Sequence, residues 1–368
     1  MYILIINSGS SSLKYKLFDF KLKTITSGLV EKIGLTGSFI DAEDKKKFFS
    51  CKNHEQALTK VLETLEAKKI NLKEIKKIGH RVVHGGEEFV KPLLITKTTL
   101  KKLEKYNELA PLHNPNNIAG IKSCLKLLPQ IKNFAAFDTS FYQNLPEHVY
   151  KYPVPEKLYK KYQIRKYGFH GISHQYIAGE FALKVKKKLS KLNLITCHLG
   201  SGCSITAIKN GQAVDTSMGF TPLEGLMMSS RCGDIDPAIP LFLVNKGLSS
   251  FEIDKMLNFQ SGLVGVSGFK DMRDIMVASG YKIPGYKAGK FTQKQKENSK
   301  LALNMFVYRV QKYIGAYSAI LGNIDAVIFT AGIGERNKDI RNLIMKNLKH
   351  KSLAIPTNEE LMIAREII

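Results

Sequence analysis

The sequence predicts an α/β fold built from two domains, and three observations lead to this prediction. The chain has 368 residues, whereas a single domain usually has about 100–200. Apolar strands alternate with amphipathic helices, which is typical of α/β proteins. A unit of strand, small-residue turn and strand occurs twice, which indicates an internal duplication.

The two copies of this unit lie at the start and near the middle of the chain. In the first, the apolar run 3–6 leads into the serine-rich turn 7–12 and then into the alternating segment 13–19. In the second, a strand at 194–198 is followed by a glycine-containing turn and a strand at 203–209. Each copy predicts a β-hairpin with a polar tip.

The clearest helix is predicted over residues 292–321, because apolar side chains recur there on one face. These are Leu303, Phe306, Val307, Val310, Ile314, Tyr317 and Leu321. An apolar strand at 326–330 follows it, then a predicted turn at 331–334 and a helix that starts near Glu335.

No linker rich in proline or serine separates the two domains. We therefore place the boundary near Leu145, just before the segment that leads to the second hairpin. The predicted domains are 1–145 plus 357–368, which includes a closing C-terminal helix, and 146–356.

Composition excludes several classes of protein. Hydrophobic residues make up 44% and charged residues 24% of the chain, as in globular proteins. The net charge of +24 could indicate nucleic-acid binding, but the lysines are scattered without interleaved arginine and aromatic residues, which favours a lysine-rich surface.

The first residues lack a basic leader, and the five cysteines form no CxxC pair. We expect a cytoplasmic protein with reduced thiols and without a membrane segment.

Several polar segments could carry chemistry, and each also has a structural interpretation. The turn from Asn7 to Lys14 offers hydroxyls, amides and a lysine for phosphate oxygens, or is a plain hairpin turn. Arg81 and Arg231 could each bind carboxylate or phosphate bidentately, or lie at the surface or in an ion pair. Asp138 follows an apolar strand, where ligands bind in α/β sheets.

Histidines and glycines lie close to these segments in the sequence. His113, His170, His174 and His198 could donate to a transferring phosphoryl group, although a lone histidine is more often structural. The Gly332-Ile-Gly334 run could let a nucleotide approach the backbone, or form an ordinary turn. Cys197 and Cys203 lack a second pair for a metal site and are interpreted as buried thiols.

In this order, the segments resemble the acetokinase family from the first strand to the last helix. The resemblance rests on Asn-Ser-Gly-Ser-Ser-Ser-Leu-Lys, Gly-His-Arg-Val-Val-His-Gly-Gly, Phe-Asp-Thr-Ser-Phe, Tyr-Gly-Phe-His-Gly-Ile-Ser-His, His-Leu-Gly-x-Gly, Arg-x-Gly-Asp-x-Asp-Pro and Phe-Thr-Ala-Gly-Ile-Gly-Glu. It implies two duplicated actin-like, ribonuclease H-like domains hinged over a central cleft. It also implies a homodimer that transfers a phosphoryl group reversibly from ATP to acetate.

The resemblance implies a role for each matching residue. Arg81 and Arg231 would hold the carboxylate and the migrating phosphoryl group. Asp138 would position the attacking carboxylate or its arginine partners, and His170 with Arg231 would stabilise the transition state. The acetate methyl group would contact Val83, Leu112, Phe169 and Pro222. The nucleotide would be bound by Lys14, His198, Gly200, Ser201, Gly202, Asp271, Met272, Arg273, Gly332, Ile333 and Gly334.

The resemblance also implies Mg²⁺, with Mn²⁺ as an alternative, bound near Asn7 and Glu359. Ser10 and Ser12 would lie on the same phosphate and metal side. The metal would bind mostly through water and ATP oxygens.

The sequence departs from the family pattern mainly on the nucleotide side. Ser201 and Arg336 each stand where the family has asparagine, and Ser229, Ser230 and Cys232 alter the surroundings of Arg231. About thirty residues that the family carries before its last strand are missing between Lys349 and Ala354, beyond ordinary loop variation. Two alternatives stay open: a propionate or butyrate kinase on the same scaffold, and a degenerate actin-like ATP-binding protein with weak or no kinase activity.

Overall fold

The computed structural model describes residues 1–43 and 45–368. Its strands are β1 (Tyr2–Ser8), β2 (Ser12–Asp19), β3 (Thr24–Glu31), β4 (Phe39–Ala42), β5 (Lys45–Phe48), β6 (Ile75–Val82), β7 (Leu93–Leu94), β8 (Lys132–Phe137), β9 (Leu194–Leu199), β10 (Cys203–Lys209), β11 (Gln212–Thr216), β12 (Ala326–Thr330) and β13 (Ser352–Ala354).

The helices are α1 (His54–Ala67), α2 (Lys97–Glu104), α3 (Asn114–Leu127), α4 (Glu147–Tyr150), α5 (Glu156–Tyr162), α6 (Gly171–Lys184), α7 (Ala238–Asn245), α8 (Ser250–Lys255), α9 (Gly262–Ser267), α10 (Met272–Ala278), α11 (Gln293–Leu321), α12 (Ala331–Arg336), α13 (Lys338–Met345) and α14 (Glu359–Ile367). In the part of the chain that the structure describes, no helix combines the length and apolarity needed to cross a membrane.

The chain divides into two compact units. Unit 1 comprises Met1–Gln143, His170–Ser173 and Asn358–Ile368, and unit 2 comprises Asn144–Phe169 and His174–Thr357. Each unit contains its own β-sheet, and the described residues form eight strands in unit 1 and five in unit 2. The two sheets confirm the predicted α/β class.

The sheet of unit 1 has the order β5-β4-β3-β2-β1-β6-β8-β7. β1 pairs antiparallel with β2 and parallel with β6, and β6 pairs parallel with β8. Apolar side chains alternate between the two faces of β1, since Leu4 and Ile6 pack in the cluster that includes α1, whereas Ile3 and Ile5 pack against α14. The sheet is therefore covered on both faces at its centre, as the apolar strand β1 requires.

The sheet of unit 2 has the order β11-β10-β9-β12-β13. Its β9 pairs antiparallel with β10 and parallel with β12, which pairs parallel with β13. The same sequence of pairings runs from β3 through β2, β1 and β6 to β8 in unit 1. The topology confirms the duplication that the two hairpins predicted.

The long helix α11 confirms the strongest prediction from periodicity. Thr292 caps its N-terminus in a reciprocal capping box with Gln295, an arrangement that satisfies two backbone donors. Six of the seven predicted apolar residues are buried on one face, and Val307 is half-buried. This face packs on the unit 2 core.

Two local predictions need correction. The segment 331–334 is not a turn, because α12 begins at Ala331 directly after β12. Ala331 makes the change of direction alone by adopting a φ of 62°, which is unfavourable for a residue with a side chain. In the first hairpin, Asn7 and Ser8 belong to β1 and Ser12 to β2, so the turn is shorter than predicted.

Candidate active site

The side chain of Arg81 lies at the end of β6 and forms a fork with Asp138, which directly follows β8. Arg81 Nε donates to Asp138 Oδ1 at 3.0 Å, and Nη2 donates to Oδ2 at 2.6 Å. Since β6 and β8 are parallel neighbours, with Val82 opposite Phe137, their carboxyl ends meet at one edge. The predicted arginine and aspartate are therefore brought together by the register of two strands.

Arg81 has a second carboxylate close to it. Glu359, the first residue of α14, places Oε2 at 3.3 Å from Arg81 Nε. Burial lowers the pKa of the Arg81 guanidinium, but Asp138, Glu359 and Glu360 together raise it above its ordinary value. Burial raises the pKa of the Asp138 carboxyl, and the charge of Arg81 opposes this effect. Asp138 is 1% exposed and Arg81 is 18% exposed, so this is a largely desolvated pair.

His170 joins the pair through its backbone. Its N–H donates to the Asp138 carboxylate, and the N–H of Gly171 donates to the Asp138 carbonyl at 3.1 Å. His170 has a φ of 57°, and a Cβ at position 171 would lie 2.1 Å from that carbonyl. The close approach requires glycine there and holds His170 in a strained conformation. Unit 1 thus gathers Arg81, Asp138, His170 and Glu359.

The first hairpin presents its polar groups toward α14. Asn7 on β1 lies opposite Lys14 on β2, and Lys14 Nζ lies 2.7 Å from Glu360 Oε1. Lys16 Nζ donates to the side chain of Asn358 at 3.1 Å. Asn7, Lys14 and the acidic N-terminus of α14 therefore belong to one polar surface of unit 1.

This surface has ligands that fit Mg²⁺ in chemical type, because amide and carboxylate oxygens are hard donors. Among the described residues, no group of three His, Cys, Asp or Glu side chains is arranged to hold a metal ion. In general, a Mg²⁺ bound by one or two protein groups keeps several waters and takes further ligands from substrate phosphates.

Arg231 lies in unit 2, in a loop between β11 and α7. Its Nη1 donates to the carbonyl of Pro222 at 3.2 Å and lies 3.8 Å from the sulfur of Met228. Burial lowers the pKa of Arg231, and Cys203 opposes this effect. Among the described residues, no carboxylate forms an ion pair with Arg231. Its charge is available to an anionic ligand.

A cavity of about 750 Å³ opens beside Arg231 in unit 2. Many of the residues assigned to nucleotide binding line it, namely Gly200, Ser201, Gly202, Asp271, Met272, Arg273, Gly332 and Ile333. Asp271 caps α10 and accepts bonds from Arg273, including one of 2.6 Å from Nη2. That bond is the main cause of the lowered pKa of Asp271. Because Arg273 compensates the negative charge of Asp271, the remaining charged residues Lys270, Arg231 and Arg336 make the cavity lining cationic.

Three residues assigned to the nucleotide do not line this cavity. His198 is buried on β9, with its ring 6.2 Å from that of His174. Gly334 is buried in α12, where a Cβ would lie 3.4 Å from Leu199. Lys14 belongs to unit 1 and pairs with Glu360.

The four residues assigned to the acetate methyl group differ in their surroundings. Val83 is buried in unit 1, whereas Leu112 is 40% exposed. Phe169 is buried in unit 2, and Pro222 contributes its carbonyl to Arg231.

Sequence reasoning missed several residues of the cavity. Lys270, Ile283 and Asn337 line it but were not singled out. Lys270 precedes Asp271, so its position next to an assigned residue was a usable signal. Ile283 lies in an irregular segment, where no periodic pattern marks it.

Comparison with known proteins identifies the family of the chain. The model of the acetokinase family matches residues 2–362. The acetate kinase of Halothermothrix orenii is 45% identical, with 100% of this chain and 98% of that protein aligned. The alignment runs over 404 positions, more than the 368 residues of this chain, so the relative carries residues that this chain lacks.

Solved structures give the same result. The crystal structure of Porphyromonas gingivalis acetate kinase is similar with a TM-score of 0.88 and 37% identity, covering 99% of this chain and 98% of that one. A propionate kinase from Francisella tularensis is similar with a TM-score of 0.91, 37% identity and the same coverage. The chain belongs to the acetokinase family.

Proposed function

We propose that this chain is an acetate kinase, a phosphotransferase with a carboxyl group as acceptor. It transfers a phosphoryl group reversibly from ATP to acetate, giving acetyl phosphate and ADP. The observation that carries the proposal is the buried fork of Arg81 and Asp138 with the backbone of His170, in a chain that is 45% identical to a protein named acetate kinase.

Arg81 would bind the anionic acceptor. A guanidinium has five N–H donors, and the bonds to Asp138 occupy two of them. Asp138 fixes the plane of the fork, so the free donors point in a defined direction. Asp138 therefore positions Arg81 and, through it, the attacking carboxylate.

Arg231 and His170 would stabilise the transition state. The phosphoryl group in flight is metaphosphate-like, and its equatorial oxygens carry negative charge. A half-buried arginine without a carboxylate partner among the described residues offers its full charge to those oxygens. No covalent intermediate on the protein is required.

The apolar contacts would select a short acid. Val83, Leu112, Phe169 and Pro222 are assigned to the methyl group of acetate. One methylene group is worth only about 1–3 kcal/mol in such a pocket, so discrimination against propionate is expected to be modest.

The cavity of unit 2 would bind the nucleotide. Its size of about 750 Å³ is within the range of ligand sites, about 300–1,000 Å³. Glycines at 200, 202 and 332 let a ligand approach the backbone, and the cationic lining suits phosphates. Of the assigned residues, His198 and Gly334 would act as supports beneath the cavity.

Mg²⁺, or Mn²⁺ in its place, would be held near Asn7 and Glu359. When bound with the nucleotide, the ion supplies positive charge to the phosphate oxygens. Asn7 and Glu359 would orient it, while Lys14 is held by Glu360.

A direct assay tests the activity. The purified chain is mixed with ATP, Mg²⁺ and each of acetate, propionate and butyrate, and acyl phosphate is trapped with hydroxylamine. We expect product with acetate, and a loss of it in the Arg81→Ala variant. Absence of product with every acid would reject the kinase proposal in favour of a degenerate ATP-binding protein.

Propionate kinase is the second candidate, because the similar Francisella tularensis structure carries that title. The ratio of kcat/KM for acetate and propionate decides between the two. A ratio above one supports acetate kinase, and a ratio below one supports propionate kinase.

A homodimer is also proposed. Helix α7 in unit 2 exposes four large apolar side chains, Ile239, Leu241, Phe242 and Val244, and α8 exposes Phe251. Leu241 is 68% exposed, and such clusters mark protein interfaces. We expect wild type to elute as a dimer in size-exclusion chromatography with light scattering, and Leu241→Glu as a monomer. A wild-type monomer would contradict the proposal.

We also propose that the protein works in the cytoplasm. Its five cysteines are free thiols, four of them buried, which fits a reducing compartment.

A further inference from the structure

The loop that carries Arg231 is closed by Asp234, a residue with no role in the function proposed above. Asp234 Oδ1 accepts the N–H of Gly225 at 2.7 Å. In return, the N–H of Asp234 donates to the Gly225 carbonyl at 2.9 Å. These two bonds join the ends of a ten-residue loop, residues 225–234, and Arg231 lies inside it.

The second oxygen of Asp234 ties this loop to the long helix α11. Tyr313 donates its hydroxyl to Asp234 Oδ2 at 2.7 Å. One turn earlier on the same helix, Arg309 Nη1 donates to the Asp234 carbonyl at 2.8 Å. Asp234 therefore links the loop to a helix that is anchored by its buried face.

The backbone of Arg231 is held from another side by the start of α9. The Arg231 carbonyl accepts the N–H of Met228 at 3.1 Å, and the Met228 carbonyl accepts the N–H of Leu263 at 2.9 Å. A Cβ at Gly262 would lie 2.2 Å from the Met228 carbonyl, so the loop packs directly on backbone. The backbone of Arg231 therefore has little conformational freedom while both the Asp234 bonds and the contacts with α9 are in place.

The side chain of Arg231 depends on this backbone support more than Arg81 does. Its contacts among the described residues are a carbonyl at 3.2 Å and a sulfur at 3.8 Å, and no carboxylate fork fixes its direction. A displacement of the loop would therefore move the guanidinium directly. Misplacement by about 1 Å can cost a hundredfold in rate.

We propose that Asp234 is a positioning residue for Arg231, acting through its hydrogen bonds to Gly225 and Tyr313. This inference rests on the proposed role of Arg231 in phosphoryl transfer. Asp234 itself touches no substrate in this proposal.

A double-mutant cycle tests it, with kcat and KM measured for acetate and ATP in Asp234→Ala, Arg231→Ala and the double variant. We expect Asp234→Ala to lower kcat by about 10- to 100-fold, and to lower it less than about twofold when Arg231 is already alanine. Equal factors in the two backgrounds would overturn the proposal. If Arg231→Ala alone keeps full activity, both this inference and the assigned role of Arg231 fail, even though the chain may still be a kinase.

Milder variants keep the test valid if Asp234→Ala folds poorly. Asp234→Asn keeps an oxygen that accepts from the Gly225 N–H and gains an NH₂ that can donate to the Tyr313 hydroxyl oxygen, so we expect it to keep most of kcat. An equal loss of kcat in Asp234→Asn and Asp234→Ala would point to the charge and overturn the inference. Tyr313→Phe should lower kcat severalfold. The matched control is Tyr308→Phe, since Tyr308 lies on the same helix and is 66% exposed. An equal effect of both tyrosine variants would also overturn the proposal.

Discussion

The two arginines of the proposed site are held in opposite ways in the two units. Arg81 of unit 1 ends a strand, and Asp138 and Glu359 place carboxylate oxygens within 3.3 Å of its guanidinium. Arg231 of unit 2 lies in a loop, and its polar contacts among the described residues are neutral. The pKa of Arg81 is accordingly raised by carboxylates, and that of Arg231 is lowered by burial.

Under the proposed function, this difference gives two ways to prepare a cation for phosphoryl transfer. The carboxylates of Asp138 and Glu359 fix the orientation of Arg81 and compensate part of its positive charge. Arg231 keeps its charge, and its orientation comes from the loop that Asp234 closes. We expect Arg81 in unit 1 mainly to orient the acceptor carboxylate. We expect Arg231 in unit 2 mainly to stabilise the negative charge of the transition state.

The largest expected effect is on turnover. Because Arg231 is the uncompensated charge, Arg231→Ala should lower kcat by about 10³-fold or more, and Arg81→Ala by about 10²- to 10³-fold. ATP binding should stay largely intact in Arg81→Ala. Steady-state kinetics and nucleotide titration measure both, and near-normal turnover in either variant would contradict the assignment.

The second prediction concerns stability, where the order is reversed. Arg81→Ala leaves the buried Asp138 without its partner, and such a loss costs about 3–5 kcal/mol. Arg231→Ala removes a weakly paired, half-buried cation and should change the free energy of unfolding by only about 1 kcal/mol. Urea denaturation measures the free energy of unfolding of both variants.

A double variant serves as the control for this prediction. Adding Asp138→Asn to Arg81→Ala removes the unpaired charge and should restore part of the lost stability. A similar loss in both single variants would contradict the comparison between the arginines.

The third prediction concerns pH and a buried histidine of unit 1. Burial lowers the pKa of His80 to about 4, against the opposing bond to Asn133. Below pH 6.5 His80 is protonated in the unfolded chain but stays neutral in the folded chain. The free energy of unfolding therefore falls as the pH drops toward 4. The difference between a pKa of 6.5 in the unfolded chain and about 4 in the folded chain corresponds to a loss of about 3 kcal/mol in the free energy of unfolding.

Urea unfolding between pH 7 and pH 4 checks this, with His80→Gln as the comparison. The variant should lose less stability on acidification than wild type does. It should still lose some, because burial and then His198 lower the pKa of His174 in unit 2 well below its ordinary value. Parallel curves for the two proteins would contradict the assignment to His80.

The smallest expected effect is at the rim of the proposed nucleotide cavity. Arg336 is exposed there and forms no ion pair with the described residues, so it should attract ATP. Arg336→Asn should raise the KM for ATP about two- to fivefold at low salt, and added salt should reduce the difference. Lys338→Asn, an exposed neighbour outside the cavity lining, is the control and should leave that KM unchanged.

Local patterns predicted the elements that position the site. The apolar run before Asp138 indicated a strand, and the structure has β8 there. The periodic segment after Thr292 indicated α11. These predictions succeeded because periodicity acts within a few residues of the chain.

Predictions failed where packing overrides local preference. Glycines at 332 and 334 favoured a turn, but α12 starts at Ala331 because this residue adopts a left-handed conformation after a fully buried strand. Ile283 reaches the cavity from an irregular segment that carries no periodic signal. The role proposed for Asp234 depends on Tyr313, 79 residues away in the sequence.

The sequence alone determined the α/β class, the two hairpins and the identity of the charged residues, since these depend on composition and short-range pattern. Only the tertiary structure decided that Arg81 is shared between two carboxylates and that Arg231 has neutral contacts. The reason is physical: the charge state and direction of a buried side chain depend on which distant groups share its desolvated surroundings, and strand register and loop closure bring those groups together.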